Sequence, residues 1–410
     1  MIKRNKAEVL ALIIAPSITG CISSVASLTL IVSILRSNQK LTTVYRRLVF
    51  SLSLFDILQS ICQALSSTPM PAGTQLGAIG NETTCNLQGF FNVLGMCGTG
   101  LYTLSLTVYF LLVAKFEISE VKIKKFAEPF LHAIPLLYSF IVSIYIYATN
   151  NYTALDRSCW IGPKPLNCED DPEVECLSGG NSYTLMLIVN IIPVFFVFVI
   201  NYIILAMIWC HLRSRIRKNQ AYGNLHLTSR DEENTTLAGS QCCSCCPTKL
   251  ICHISSHIPQ SNTSTSSVLA DYLSRPSRTS IRRLREIFNR AIAYIIAFLL
   301  IFIFGIINHL FDAHRVDSTP FVILFLSRVF FPLQGLFNIL IYTYPHVTSY
   351  LRNHSDHNWI RAFWEVIKSG GDSDQPMIGR RESLRKQQRV LGQSEQRRKS
   401  SVGSLMPISN

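Results

Sequence analysis

Residues 10–35 read LALIIAPSITGCISSVASLTLIVSIL, an uninterrupted run of 26 residues without a charged side chain. About 20 apolar residues in a helix span the hydrocarbon core of a bilayer. Strands of a membrane barrel are about ten residues long and alternate in polarity, which this run does not. Together with six similar segments it predicts an all-α membrane protein with seven spanning helices, at about residues 10–35, 48–65, 88–114, 129–149, 182–210, 291–311 and 320–343.

The composition of the whole chain agrees with a membrane protein. Of its 410 residues, 48% are hydrophobic and 15% are charged, and the formal net charge is +13. A soluble chain of this length is usually about a quarter charged. With a mean hydropathy of +0.27 and a pI near 9.2, the chain is not expected to be an ordinary cytosolic enzyme or a nucleic-acid-binding module.

Lysine and arginine residues alternate sharply between the two sides of the predicted bundle. The loops after the first, third and fifth helices and the C-terminal tail hold 31 of them, whereas the opposite side holds six. The positive-inside rule therefore predicts a plasma-membrane protein whose N-terminus, residues 1–9, lies outside. We expect this short segment to have no room for a hormone-binding domain, which favours a small ligand. Sequons at Asn81 and Asn151 fall in predicted outer loops and predict N-glycosylation.

Four cysteines also lie on the predicted outer side, where disulfides persist. They are Cys85, Cys159, Cys168 and Cys176. Four cysteines allow three pairings. We predict a bridge from Cys85, at the start of the third helix, to Cys159, and a small second bridge between Cys168 and Cys176.

The remaining segments lie within or after a seven-helix domain predicted at residues 10–345. Residues 219–280 and 369–410 are rich in small polar residues, have few large apolar ones, and are predicted to be disordered on the inner side. Residues 350–368 predict an amphipathic eighth helix in the inner membrane interface. Its apolar face would contain Trp359, Ile360, Phe363, Trp364 and Ile367.

This arrangement resembles that of G-protein-coupled receptors. Individual stretches are similar in particular to the cyclic-AMP-receptor-like receptors of protists, close to secretin-like and adhesion-like receptors, and to those of diatoms and related algae. The stretches are CNLQGFF at 85–91, YFLLVAKF at 109–116, EPFLH at 128–132, CWI at 159–161 and PLQGLFNILIY at 332–342. The resemblance implies a receptor that binds an extracellular ligand and activates a heterotrimeric G protein.

The chain departs from rhodopsin-like receptors in two places. Its third helix ends in Val-Ala-Lys-Phe, with Lys115 near the place of the arginine of an Asp-Arg-Tyr triplet. An ammonium cannot form the bidentate bonds of a guanidinium, so a transferred ionic lock is not expected. The seventh helix contains no lysine to which retinal could attach, and a light receptor is therefore not expected.

Asp56 is the one carboxylate within a predicted span, and an ionisable group at that depth is costly unless it has a role. Its position resembles that of the second-helix aspartate of rhodopsin-like receptors, which implies a switch through water or sodium to Asn338, with Tyr342 one turn further on. The alternative is that Asp56 is only neutralised by nearby hydroxyl groups, those of Ser51, Ser53 and Ser60.

Polar residues in the outer halves of the helices are candidates for a ligand pocket, although most such residues form interhelical hydrogen bonds. Arg328 is the one cation at membrane depth; it would meet an anionic ligand or pair with Asp312. The full set is Asn92, Tyr102, Trp160, Asn190, His309 and Arg328.

Basic residues on the predicted inner face are candidates for docking a Gα subunit: Lys115, Arg213, Arg215, Arg282 and Arg283. Attraction to anionic membrane lipids would explain the same residues. Serines that follow basic residues predict phosphorylation by a basophilic kinase, which would add negative charge and recruit an arrestin-like partner. They are Ser277, Ser280, Ser383 and Ser400.

A cysteine cluster lies within the predicted third inner loop, at Cys242, Cys243, Cys245 and Cys246. Cytoplasmic cysteines near a membrane predict S-palmitoylation. Unmodified thiols and a zinc site of C-x-x-C spacing remain alternatives.

Two other functions compete with a receptor. A transporter or channel is disfavoured because no internal repeat is visible and only two charges lie within spans. A membrane hydrolase would need a metal centre from His132, His309 and Asp312, which lie on different helices or at a helix end. We therefore expect no catalytic residues, cofactor or metal.

Overall fold

A computed structural model describes residues 5–155, 158–165, 168, 175–176, 182–232, 278–313 and 320–370. Within these ranges seven helices are long and apolar enough to cross a membrane. The predicted seven-helix topology is therefore confirmed, and the chain has the architecture of a multi-pass membrane protein.

The seven long helices are α1 to α7, and a shorter α8 follows. Five of them are α1 Lys6–Arg36, α2 Val44–Leu65, α3 Glu82–Ala114, α4 Glu120–Ala148 and α6 Arg278–Ala313. Helix α5 runs from Ser182–Met186 through a π-helical turn, Leu187–Ile191, into Ile192–Glu232. Helix α7 is Phe321–Asn353, with a 3₁₀ turn at Phe331–Leu333, and α8 is Trp359–Lys368.

Helices α2 and α3 begin earlier than hydropathy predicts because polar residues cap them. Helix α2 begins at Val44 instead of 48: the Thr43 hydroxyl accepts a hydrogen bond from the Arg46 N–H, and Glu120 Oε1 accepts one from the Val44 N–H at 3.0 Å. Helix α3 begins at Glu82 instead of 88, where Asn81 forms a capping box with Thr84. A hydropathy pattern does not register a first turn made of polar residues.

The segments that were predicted to lie on the inner side also differ from the prediction. Helix α5 continues to Glu232, within the stretch predicted to be disordered, and α6 begins at Arg278. The predicted eighth helix over 350–368 is divided: α7 continues to Asn353, and α8 begins at Trp359. Residues 233–277 and 371–410 lie outside the described part of the chain.

A β-hairpin follows α4, which the all-α prediction did not include. Strands β1 Tyr152–Leu155 and β2 Ser158–Ile161 pair antiparallel. The predicted Cys85–Cys159 disulfide joins β2 to the first turn of α3, and the Cys168–Cys176 disulfide is also present. The buried Tyr152 ring packs where α3 has Gly89. Burial raises the pKa of the Tyr152 phenol, which remains neutral and donates to the Ser143 carbonyl.

The bundle has two distinguishable ends. The disulfide end contains the Cys85–Cys159 bridge and the hairpin, above an apolar core that includes Phe298 and Phe302. The tyrosine end contains Tyr45 and Tyr342, next to a larger apolar core. Helix α8 packs against α7 through its small apolar side chains, whereas its large ones at Trp359, Ile360 and Trp364 are exposed.

Candidate functional site

The predicted pair of Asp56 and Asn338 lies midway along the bundle, where α2 meets α7. Both side chains are buried, and Asn338 Nδ2 donates to Asp56 Oδ2 at 2.5 Å. The amide contacts the carboxylate directly, so the contact needs no bridging water or sodium ion. Two of the serines proposed to neutralise Asp56 bond elsewhere: Ser53 donates to the Val49 carbonyl and Ser60 to the Pro332 carbonyl.

Helix α7 contains an irregular turn beside this pair, at Phe331–Leu333, which we call the joint. Proline has no N–H and its ring disrupts the helix before it, and the turn that contains Pro332 is 3₁₀-helical. Polar side chains from neighbouring helices bind the backbone or side chains around the joint. Ser23 of α1 accepts from the Gly335 N–H at 2.9 Å, and Gln334 Nε2 lies 3.4 Å from Thr103 Oγ1 of α3. The joint is thus connected to α1, α2 and α3.

A cluster around Tyr45 closes the tyrosine end; its members are Tyr45, Arg290, Tyr294 and Tyr342. The Arg290 guanidinium lies over the Tyr45 ring at 5.5 Å, and the hydroxyls of Tyr45 and Tyr294 are 3.4 Å apart. The Tyr342 ring stacks on Tyr45 with a centroid distance of 6.1 Å. These contacts join α2, α6 and α7, and they link the predicted switch residue Tyr342 to α6.

The Tyr45 cluster could not be predicted from hydropathy because Tyr45 and Arg290 precede the apolar segments that predicted α2 and α6. A neighbouring ion pair between Arg47 of α2 and Glu128 of α4 was missed for the same reason. One sequence signal could have identified the Tyr45 cluster and this ion pair. It is a polar or aromatic residue within one turn of an apolar segment, where a capping residue extends the helix.

Tyr102, one of the predicted pocket residues, lies about 30 Å along α3 from its first residue, Glu82, at 1.5 Å per residue. Its ring packs against Phe55, and its hydroxyl lies 3.1 Å from Nδ1 of His132 on α4. This residue therefore serves interhelical packing in the structure.

The remaining pocket candidates have varied surroundings. Asn92 is buried and accepts a hydrogen bond from Gln63 Nε2 at 2.9 Å. Trp160 is half-buried in β2, and Asn190 is buried in the π-helical turn of α5. Arg328 is half-buried on α7. The His309 side chain lies outside the description.

Among the predicted inner-face residues, Lys115 and Arg215 approach the loop between α3 and α4. Lys115 ends α3 with its ammonium 5.5 Å from the Phe116 ring, and Arg215 forms an ion pair with Glu117. Arg213 is exposed on α5, and Arg282 pairs within α6 with Glu286 at 3.4 Å. The Arg283 and Ser280 side chains are not described, nor are Cys242, Cys243, Cys245, Cys246, Ser277, Ser383 and Ser400.

The two predicted glycosylation sites differ in exposure. Asn81 is exposed at the start of α3. Asn151 is only 8% exposed, its Nδ2 donates to Thr149 Oγ1, and the following Tyr152 is 1% exposed. A glycan cannot be accommodated on a buried amide in the folded protein, so the structure disfavours Asn151 as an acceptor.

The residues proposed for a metal-dependent hydrolase are not brought together. His132 lies near Glu128 at the tyrosine end, whereas backbone positions 309 and 312 follow Arg290 by about five and six turns of α6, toward the other end. Across the described side chains, no group of three or more His, Cys, Asp and Glu residues is arranged to hold a metal ion. Searches against protein-family models and against curated proteins give no match to this chain.

Proposed function

We propose that this protein is a plasma-membrane receptor that binds a small extracellular ligand and activates a heterotrimeric G protein. In this proposal the disulfide end faces outward and the tyrosine end faces the cytoplasm, in agreement with the lysine and arginine bias of the loops. The observation that carries the proposal is the Tyr45 cluster, because it holds the end of α6 against α2 and α7 through contacts that can open reversibly.

The contacts of the cluster have the strength that a switch requires. A cation–π contact contributes about 0.5–2 kcal/mol, so opening the tyrosine end by moving α6 outward requires only modest free energy. A ligand shifts such an equilibrium by the ratio of its affinities for the two states. A ligand that binds the open state about a hundredfold more tightly would supply about 2.7 kcal/mol.

Helix α7 provides a route from the ligand end to the cluster. Its joint at Phe331–Leu333 lies between the outer segment that contains Arg328 and the inner segment that contains Asn338 and Tyr342. A ligand that moves the outer segment would change the contacts of Asn338 with Asp56 and of Tyr342 with Tyr45. The change would thereby reach Arg290 and α6.

The tyrosine end would present basic residues to its partner. Arg213 and Arg285 are exposed on α5 and α6, and opening of α6 would uncover the cleft between them for the C-terminal helix of a Gα subunit. Helix α8 would lie in the cytoplasmic membrane interface, because its exposed Trp359, Ile360 and Trp364 suit the boundary between headgroups and acyl chains.

Nucleotide exchange on co-expressed Gα subunits tests this function. We expect basal or ligand-stimulated exchange with at least one Gα class in a screen of small molecules, and we expect Arg213→Gln with Arg285→Gln to reduce it at equal surface expression. The proposal fails if no Gα class responds while the purified, reconstituted protein moves a solute across vesicles, because that result identifies a transporter or channel.

A further inference from the structure

A basic and apolar patch covers the side of the first turns of α4 that faces away from the helix bundle. Val121 and Phe126 are 78% and 64% exposed, and three lysines between them are also exposed. On the opposite side of the same turns, Ile123 is 1% exposed. We name the exposed set the Lys122 patch; it consists of Val121, Lys122, Lys124, Lys125 and Phe126.

A π-helical turn explains why the carboxylate of Glu128 lies on the opposite side of α4 from the three lysines. In Ile123–Ala127 the Glu128 N–H donates to the Ile123 carbonyl, five residues earlier. This wide turn places Glu128 on the same side as Ile123, whereas a regular α-helix would rotate it away by about 140°. Glu128 is therefore buried and pairs with Arg47. The three lysines remain on the side of the helix that faces away from the bundle.

The positive charge of the patch is not neutralised by the acidic residues beside it. Glu120 accepts a hydrogen bond from the Val44 N–H, and Glu128 is paired with Arg47. In the described portion of the chain, none of the three patch lysines has a carboxylate within ion-pair distance. The Lys125 ammonium lies 5.2 Å from the Phe126 ring, so charge and apolar surface occur together.

The position of the patch favours a lipid over a protein partner. Glu120 and Glu128 connect it to the first turn of α2, at the tyrosine end. The buried Ile123 faces the bundle, so the patch faces away from it, toward the surrounding membrane. The next exposed side chains on α4 are Pro129 and Phe130, and Phe130, which is 67% exposed, begins the apolar span. Three lysines that precede an exposed aromatic residue on the same helix match the headgroup level of a bilayer, next to its apolar core.

We propose that the Lys122 patch binds the headgroup phosphates of anionic phospholipids in the cytoplasmic leaflet, with Phe126 and Val121 inserted at the boundary with the acyl chains. The proposal rests on the orientation given above and not on G-protein activation. Electrostatic attraction contributes about fivefold in affinity for each lysine near an anionic surface. Three lysines would therefore discriminate strongly between anionic and zwitterionic lipid.

The test uses the full chain, purified in a neutral detergent and titrated with short-chain phosphatidylserine or phosphatidylcholine, with bound lipid counted by native mass spectrometry. We expect the wild type to prefer phosphatidylserine. The triple variant Lys122→Gln, Lys124→Gln, Lys125→Gln should lose about fivefold in phosphatidylserine affinity for each residue changed. A control with the same change in net charge, Lys6→Gln, Arg213→Gln, Arg285→Gln, should retain the preference, because these exposed side chains lie outside both the patch and α8.

Further variants show whether a loss of phosphatidylserine affinity is due to the lost charge or to misfolding. The triple Lys→Arg variant should retain the preference, and single Lys→Gln variants replace the triple one if it does not fold. The proposal is overturned if the triple Gln variant keeps the wild-type preference, or if the control loses as much as the triple variant. It is also overturned if the triple Gln variant loses Gα exchange but keeps its lipid preference, because the patch would then contact a protein.

The lipid measurement in detergent does not depend on orientation or signalling. Labelling of a Ser119→Cys variant, whose position is exposed in the loop just before the patch, with a membrane-impermeant thiol reagent, compared with wild type in intact and permeabilised cells, tests the orientation separately. Additional labelling only after permeabilisation is expected. Labelling in intact cells would place the patch outside and overturn its assignment to the cytoplasmic leaflet, whereas failure of Gα exchange alone would contradict only the proposed function.

Discussion

The Arg290 guanidinium of α6 lies 5.5 Å from the centre of the Tyr45 ring of α2. One turn further along α6, the Tyr294 hydroxyl lies 3.4 Å from the Tyr45 hydroxyl. A single tyrosine therefore contacts two successive turns of α6. Because residues four apart share one face of a helix, movement of α6 away from α2 would break both contacts together, which makes Tyr45 the most sensitive position at this end of the bundle.

Replacement of Tyr45 by alanine is expected to raise ligand-independent Gα nucleotide exchange. The lost cation–π contact, about 0.5–2 kcal/mol, corresponds to an increase of roughly 2- to 30-fold in the ratio of the open to the closed state of the protein. Tyr45→Phe retains the ring and loses only the hydroxyl contact, so its increase should be smaller. Exchange is measured in membranes at equal receptor density.

Tyr202→Ala on α5 is the control, because that side chain is 72% exposed and lies outside the cluster. It should leave basal exchange unchanged. Equal basal exchange in wild type and Tyr45→Ala would show that the cluster does not hold the inactive state.

The contact between Asp56 and Asn338 predicts a coupled loss of stability. Removal of either partner leaves a buried polar group without its hydrogen bond, which costs about 1–3 kcal/mol. We expect Asp56→Ala and Asn338→Ala each to lower the free energy of unfolding by this amount. The double variant should lose less than the sum, because the two changes remove the same contact. Reversible unfolding in detergent provides the measurement.

Thr29→Ala serves as the reference for polar residues that bond only within their own helix, since its hydroxyl donates to the Val25 carbonyl of α1. Its effect should be within about 0.5 kcal/mol. Strict additivity of the two single changes would argue that Asp56 and Asn338 are not energetically coupled.

Hydropathy predicted which segments cross the membrane because about 20 consecutive apolar residues have few other uses in a folded chain. It could not predict where the helices begin: Thr43 and Asn81 extend α2 and α3 through side-chain caps that add no apolar signal. The Tyr45 cluster was missed as a consequence. The hairpin was missed as well, since its strands of four residues are at the lower limit of the length over which alternation predicts a strand.

The candidate site was likewise predictable only where its residues lie within the apolar segments. Asp56 was found because a carboxylate within an apolar segment is conspicuous in a sequence, and Asn338 followed from the resemblance to rhodopsin-like receptors; the two side chains meet directly. The contacts of Tyr102 with Phe55 and His132 could not be predicted, because hydropathy does not show which side chains of neighbouring helices meet. The π-helical turn that sorts Glu128 from the patch lysines changes the helical phase by one residue, which a fixed period of 3.6 cannot reproduce.

The exposure of the two sequons predicts a single glycan within the described outer loops. With the disulfide end outside, Asn81→Gln should remove a glycan and increase mobility on a denaturing gel, whereas Asn151→Gln should leave mobility unchanged because Asn151 is buried. Wild type treated with an N-glycosidase should co-migrate with Asn81→Gln. A mobility change in Asn151→Gln alone would mean that transfer precedes folding of the hairpin and that the burial argument does not apply.

Two glycines of α3 offer a test of how tightly the helices pack, since small residues allow close approach between membrane helices. A Cβ at Gly98 would overlap the Phe55 ring of α2, whereas a Cβ at Gly100 would lie at an ordinary 3.8 Å from the Phe298 ring of α6. Gly98→Ala forces the ring to shift in a filled core and should cost about 1–3 kcal/mol. Gly100→Ala should be neutral or gain about 0.5–1 kcal/mol from reduced backbone freedom in the unfolded chain. Each glycine is therefore the control for the other, on the same helix and with the same chemical change. Thermal unfolding of both variants in one detergent decides the matter: equal shifts for the two would mean that the approach of α2 to α3 is not limited by Gly98.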